Sequence, residues 1–284
     1  MTVPLPFGGN EEEAPTPPAP ITKFGGPIYV GTSGFKFDDW KGPFYPETVK
    51  EKDWLSYYAR RFNCLEINSS FYRLNNPATY RNMAARVPEG FEFTVKAYRT
   101  LTHEFETDHE ADFETFIASL APLRELNMLG CVLAQFPTRF HYTPENRDYL
   151  AQFQRRFREL PLVVEFRARE WLDDEVLDFL RAHQLGFCSV DEPQFRTLMP
   201  PVAIATSPVG YVRFHGRNYQ TWWKQAEGKD RYDYHYSEEE LKEWLPKIES
   251  LAAETKKTYV FMNNCFVGQA ALNALDMQRL LEAA

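Results

Sequence analysis

From residue 28 onward the chain alternates between short, nearly unbroken apolar runs and longer segments in which apolar residues recur at helical spacing. The short runs are Ile28–Gly31, Cys64–Asn68, Glu92–Lys96, Gly130–Gln135, Leu162–Arg167, Gly186–Asp191, Tyr211–His215 and Thr258–Asn263. Apolar runs without alternation mark parallel strands covered on both faces, so each is predicted to be a strand. Between them, Glu47–Phe62 carries Trp54, Leu55, Tyr58 and Phe62 on one helical stripe. Asp112–Leu126 and Glu145–Leu160 repeat that spacing, the latter opened by Thr143 as N-cap and Pro144 at the first helical position. Ser237-Glu238-Glu239-Glu240 is a capping box that starts a helix through about Thr255, with a kink expected at Pro246. A last helix is predicted from Gln269 to Leu281, and the Pro-rich stretch 193–208 predicts a short or missing sixth helix.

This alternation predicts an α/β fold, a single TIM-type (β/α)8 barrel over residues 25–284. The competing doubly wound sheet would carry a G-x-G-x-x-G turn after its first strand, and this chain has only Gly31-Thr32-Ser33-Gly34. Residues 1–24 read as a disordered tail, because Pro4, Pro6, Pro15, Pro17, Pro18 and Pro20 flank the acidic run Glu11–Glu13 and leave little to bury.

The apolar runs end on polar residues. They are Thr32 and Ser33, Glu66 and Asn68, Lys96, Gln135, Glu165 and Arg167, Asp191, then Arg213, His215 and Arg217, and finally Asn263 and Asn264. In a TIM barrel these ends meet on one face, where such enzymes place their chemistry. A structural reading competes with the functional one: Glu66, Glu165 and Asp191 can pair with Lys96, Arg167 and Arg213 as an ion network under the loops. Convergence of eight polar ends favours a site.

The loops beyond these ends are rich in aromatic residues: Phe35, Phe37, Trp40, Phe44 and Tyr45, then Phe71 and Tyr72. After the seventh run come Tyr219, Trp222, Trp223, Tyr232, Tyr234 and Tyr236, interleaved with Arg217, Lys224, Lys229 and Arg231. Aromatic faces suit sugars or bases, and the cations suit an anion such as phosphate. Packing of long loops onto the barrel explains Phe35, Phe44 and Phe71 equally well.

Composition narrows the partners. The net charge of −8 disfavours broad binding to duplex nucleic acid. No apolar run reaches the length of a membrane helix, and the N-terminus lacks the basic and apolar regions of a secretory signal. The four cysteines (Cys64, Cys131, Cys188 and Cys265) are widely spaced within or beside apolar runs, which argues against a zinc site or disulfide framework and fits the cytoplasm.

The segments Gly31-Thr32-Ser33-Gly34-Phe35 and Asp39-Trp40-Lys41-Gly42-Pro43-Phe44-Tyr45-Pro46 resemble the opening signature of the domain-of-unknown-function 72 family, also called YecE-like proteins. Glu66-Ile67-Asn68-Ser69-Ser70-Phe71-Tyr72, Phe93–Lys96 with Thr102-His103, Gln135-Phe136-Pro137 and Glu165-Phe166-Arg167 extend the resemblance. So do Ala205-Thr206-Ser207, Tyr211–Arg217 and Asn263-Asn264, so that it spans residues 28–280. It implies a TIM barrel and no assigned activity. Cys265-Phe266 follows the Asn pair where the family pattern leads one to expect a His.

Together these features predict an enzyme, of hydrolase or isomerase type, acting on an anionic, phosphorylated or sugar-like small molecule. Glu66, Glu165, Asp191 and His215 are the candidate catalytic groups. Thr32, Ser33, Asn68, Tyr72, Lys96, His103, Gln135, Arg167, Arg213, Arg217, Trp222, Asn263 and Asn264 are the candidate substrate-binding groups. No cofactor is predicted: Glu66, Glu165, Asp191 and His215 are a conceivable set for one divalent ion, but no close ligand spacing supports it. A nucleic-acid-binding or endonuclease-like barrel and a non-catalytic ligand-binding barrel are the alternatives. Ser33, Ser69 and Ser70 lack the G-x-S-x-G setting of a nucleophile.

Overall fold

The computed structural model describes residues 17–107, 109–157, 160–223 and 230–284. Its eight strands are β1 Ile28–Thr32, β2 Cys64–Ile67, β3 Glu92–Lys96, β4 Leu129–Gln135, β5 Leu162–Glu165, β6 Leu185–Asp191, β7 Val209–Phe214 and β8 Lys257–Met262. All neighbours pair in parallel in the order β1-β8-β7-β6-β5-β4-β3-β2. A parallel bridge between Ser33 and Glu66 links the two ends of that order, so the sheet is a nearly closed barrel. Gly31 permits that approach, since a Cβ there would stand 2.5 Å from the Cys64 carbonyl oxygen.

Helices cover the strands, and their breaks have local causes. Glu47–Phe62 is not one helix but a 3-10 turn, Glu51–Asp53, followed by Trp54–Tyr58. The segment expected over Asp112–Leu126 divides into Glu110–Ser119 and Ala121–Glu125, because Pro122 cannot donate into a continuing ladder and instead opens a new first turn. Pro144–Phe157 is continuous. The Ser237 capping box is present, and the helix it starts breaks after Lys242 and resumes at Leu245–Glu254 with Pro246 in its first turn. The final helix runs Gln269–Ala283.

Between β6 and β7 the described chain forms no helix. It runs back along the barrel wall, where Leu198 bridges Ala168 and Arg169 N–H donates to Thr197 O at 2.9 Å. Thr206 Oγ1 accepts from Phe187 N–H at 2.8 Å and donates to Leu185 O at 2.6 Å, so this strap satisfies polar groups at the start of β6.

The N-terminal mouth of the barrel is plugged. Lys257 Nζ contacts both Glu92 oxygens at 2.8 and 2.9 Å, and the Tyr259 hydroxyl donates to the same carboxylate. The expected tail lies mostly outside the described residues, but its last part is anchored: Ile21 and Ile28 exchange backbone hydrogen bonds of 3.0 and 2.8 Å. Cys64, Cys131 and Cys188 are buried free thiols and Cys265 is a half-buried one. Among the described residues no helix is long and apolar enough to cross a membrane.

Candidate active site

Side chains alternate across each strand, so every second residue of a run shares a face. On β7 this puts Tyr211, Arg213 and the following His215 into the barrel. Arg213 lies at the centre. Its Nη1 donates to Glu165 Oε2 at 2.6 Å and its Nη2 to Glu66 Oε1 at 2.7 Å, with Ser33 Oγ 3.4 Å from Nη2. The second oxygen of Glu66 accepts from the Tyr211 hydroxyl at 2.7 Å, and Thr94 Oγ1 lies 2.8 Å from that hydroxyl. Glu66, Glu165 and Arg213 are fully buried, so this charge cluster is held by mutual pairing and not by water.

Glu165 is saturated. Besides Arg213 it accepts from Arg167 Nη2 at 2.8 Å and from His215 Nε2 at 3.1 Å, both on Oε1. Burial alone would raise its pKa, but Arg213, Arg167 and His215 together hold it well below the ordinary carboxylate range. It is a fixed anion. On the far side of His215, Asn263 Nδ2 donates to Nδ1 at 2.9 Å, which leaves the imidazole proton on Nε2 facing Glu165. Burial and the nearby Arg167 push the His215 pKa down to about 3, so the ring is neutral.

Two groups have protonation equilibria near neutrality. Lys96 Nζ donates to Gln135 Oε1 at 2.9 Å and sits 4.3 Å above the Phe71 ring. Among the described residues no carboxylate lies within ion-pair distance of it, and burial together with Arg213 lowers its pKa to about 7. Glu192, the residue after β6, is fully buried and touches Arg167 Nη1 through Oε2 at 2.8 Å. Its Oε1 is buried without a partner, and burial raises its pKa to about 7 against the opposing pull of Arg167.

Several expected site residues lie elsewhere. Asp191 points out of the barrel, where it accepts from Tyr236 Oη and Trp244 Nε1, both at 2.7 Å, and pairs with Arg217 at 2.8–2.9 Å. Arg217 also contacts Glu243 at 2.7 Å, so both residues fasten the loop after β7 to the helices outside and are not part of the strand-end cluster. Asn264 belongs to the same outer fastening, donating to Tyr234 O at 2.8 Å and Asn273 Oδ1 at 2.9 Å. Thr32 faces outward too, its N–H donating to Tyr58 Oη at 2.8 Å and its hydroxyl to Gly34 O at 2.6 Å. The conceivable metal set fails for this reason: Asp191 is across the wall and Glu66 and Glu165 are engaged by Arg213. No group of three or more His, Cys, Asp or Glu among the described residues is placed to hold a metal ion.

The remaining candidates form the rim or the recess. Asn68 Nδ2 donates to Ser33 O at 3.4 Å and its Oδ1 is buried without a partner. His103 packs edge-on against Phe71 at 4.8 Å, and burial with Lys96 nearby lowers its pKa to about 4. Tyr72 is exposed at the rim, Trp222 is buried, and Lys224 and Lys229 lie outside the described residues. Glu192 escaped the sequence reading. Counting by twos from Cys188, whose thiol lies 3.9 Å from Glu165 Oε2, reveals it: 190 and 192 then face inward and 191 outward. Two surface clefts of about 550 and 520 Å³ lie away from this cluster, one between helices Glu110–Ser119 and Pro144–Phe157 and one beside Thr255 at the plugged end. Neither brings perturbed groups together, and the strand ends do.

A profile of the family described as "Protein of unknown function DUF72" matches residues 29–284. The UPF0759 protein YunF of Bacillus subtilis is 33% identical over 271 residues, covering 90% of this chain and 95% of that protein. The UPF0759 protein YecE of Escherichia coli O157:H7 is 24% identical over 237 residues, covering 76% and 81%. A crystal structure of a DUF72 family protein from Thermotoga maritima aligns with a TM-score of 0.84 at 42% identity, covering 90% of this chain and 99% of that one. One from Enterococcus faecalis aligns with a TM-score of 0.81 at 30% identity, covering 90% and 96%.

Proposed function

The chain belongs to the DUF72 family of proteins of unknown function, and from that footing we propose that it is an enzyme acting on an anionic, phosphorylated or sugar-like small molecule at the C-terminal ends of its strands. The observation that carries this reading is Lys96, a half-buried ammonium that rests on an amide oxygen and an aromatic face instead of on a carboxylate. Burying a cation without a counter-charge is unfavourable, and an anionic ligand supplies the missing partner. Arg167, whose side chain is 13% exposed, is a second cation of the strand-end cluster that solvent reaches.

In this reading Glu66, Arg213 and Glu165 form a rigid frame beneath the ligand. All four carboxylate oxygens and both Arg213 Nη groups are engaged, so the two carboxylates orient and do not exchange protons. Proton transfer falls to Glu192, whose carboxyl is poised near neutrality, where a general acid or base works best. His215 holds Glu165 in place from its other side. Phe71 and the exposed Tyr72 line one lip and suit a flat or sugar-like body attached to the anion.

The test is a thermal-shift and calorimetric screen of sulfate, sugar phosphates, sugar acids and matched neutral sugars. Anionic compounds should bind and raise the melting temperature, and Lys96→Met should abolish this. The reading is overturned if neutral sugars bind as well as their phosphates, or if Lys96→Met binds the anions unchanged.

A further inference from the structure

Arg167 divides its guanidinium between two carboxylates, and the two depend on it to different degrees. Glu165 keeps Arg213 at 2.6 Å and His215 at 3.1 Å whatever Arg167 does. Glu192 has no cation but Arg167 among the described residues, and one of its oxygens is already buried without a partner. Its other neighbours are the Met199 backbone N–H, which favours the ionised carboxylate, and Glu165, which repels it. Tyr232 lies close enough to bias Arg167 without reaching Glu192. Glu192 is therefore the group whose charge cannot survive any weakening of the Arg167 contact.

We propose that an anion binding at Lys96 and Arg167 drives the uptake of one proton from solvent by Glu192. This rests on the anion site proposed above and adds its coupling. An anion that draws Arg167 toward itself leaves Glu192 ionised, buried and unpaired, which costs more than protonation. An anion that uses the outward N–H groups of Arg167 and leaves Glu192 in contact still sets a like charge beside it, with the same effect. In either case the proton goes onto the carboxylate, most directly at the unpartnered Oε1, and ligand charge is neutralised in part by that proton. The site would then take dianions in preference to monoanions and bind them more tightly as pH falls.

Sulfate is the probe, because it carries no titrating proton near neutrality. Calorimetry of wild-type protein at about pH 8, repeated in buffers of different ionisation enthalpy, gives the number of protons taken up on binding. Lys96 also gains a proton when an anion arrives, so wild type should take up more than one, and Glu192→Gln should lower the count by about one. Its sulfate affinity should depend less steeply on pH. Sulfate-induced difference infrared spectra of wild type provide a second readout, a new band from a protonated buried carboxyl. Binding with an unchanged proton count in Glu192→Gln, or without the carboxyl band in wild type, overturns the coupling and leaves the anion site standing. Failure of wild type to bind sulfate or any other anion overturns both.

Discussion

Asp191 and Glu192 are consecutive in the chain and face opposite sides of the barrel wall. Asp191 accepts from Tyr236, Trp244 and Arg217 on the outside, whereas Glu192 meets Arg167 on the inside. Two adjacent carboxylates thus have separate settings, an outer fastening and the inner charge cluster. Asp191→Asn keeps the shape but removes the charge that orients three donors, and should cost about 2–4 kcal/mol of stability. Sulfate affinity of the remaining folded protein should be unchanged. Chemical denaturation and calorimetry on the same samples check both. A stable Asp191→Asn variant that has lost sulfate binding would reverse the assignment of the two residues.

Arg213 bridges Glu66 and Glu165, and its loss should fall unequally on the two. Glu165 retains Arg167 and His215, but Glu66 keeps only the Tyr211 hydroxyl. Arg213→Met should therefore destabilise by about 3–5 kcal/mol, mostly by stranding Glu66. Adding Glu66→Gln should recover part of that loss, while Glu66→Gln alone destabilises. Denaturant titrations of the two single variants and the double variant give the coupling, expected at about 1 kcal/mol or more. Strict additivity would mean that the pair is energetically independent.

The barrel was legible because strands buried on both faces leave short apolar runs, here alternating eight times with segments of helical spacing. Predicted and observed strands such as Glu92–Lys96 coincide for that reason. The gathering of polar side chains at the strand ends was legible too, since every run stops on or beside a polar residue. What the sequence did not disclose was which of those residues face inward. Gly186–Asp191 reads as ending on the charged residue Asp191, yet the alternation continues one step past the strand and delivers Glu192 instead. Arg217 and Asn264 misled in the same way, since a polar residue beyond a strand end can turn outward to fasten a loop. Helix breaks at Pro122 and before Pro246 depend on whether neighbouring turns can re-form, which packing decides and local propensity does not.

His215 is neutral in the folded protein, and its pKa sits at about 3 where the ordinary value is 6.5. Between those values the unfolded chain binds more protons at this position than the folded one. This residue therefore withdraws stability as pH falls through that window, and contributes no slope above it. Asn263→Asp replaces the donor to Nδ1 with an acceptor. The imidazole must then carry protons on both nitrogens to serve Asp and Glu165 together. The His215 titration followed by NMR should move up toward the ordinary value, and the acid-induced loss of stability should shift accordingly. An unmoved titration would show that Asn263 does not set the state of the ring.

Lys96 links ligand binding to stability with the opposite cost to a structural lysine. Its pKa is about 7 in the fold against an ordinary 10.5, so across that interval the unfolded chain binds more protons and folding stability rises with pH. Below about pH 7 the full cost of the buried ammonium is carried by the folded protein. Lys96→Met removes a charge that has no carboxylate partner and keeps much of the stem that packs on Phe71. The variant should melt higher than wild type at neutral pH without ligand, and the rise of wild-type stability toward pH 10 should flatten in it. Saturating sulfate should reverse the order, raising wild type and leaving Lys96→Met where it was. Melting curves over this pH range, with and without sulfate, test each part. If Lys96→Met is less stable than wild type in the absence of anions, Lys96 serves the fold and the anion site must be sought elsewhere on the strand ends.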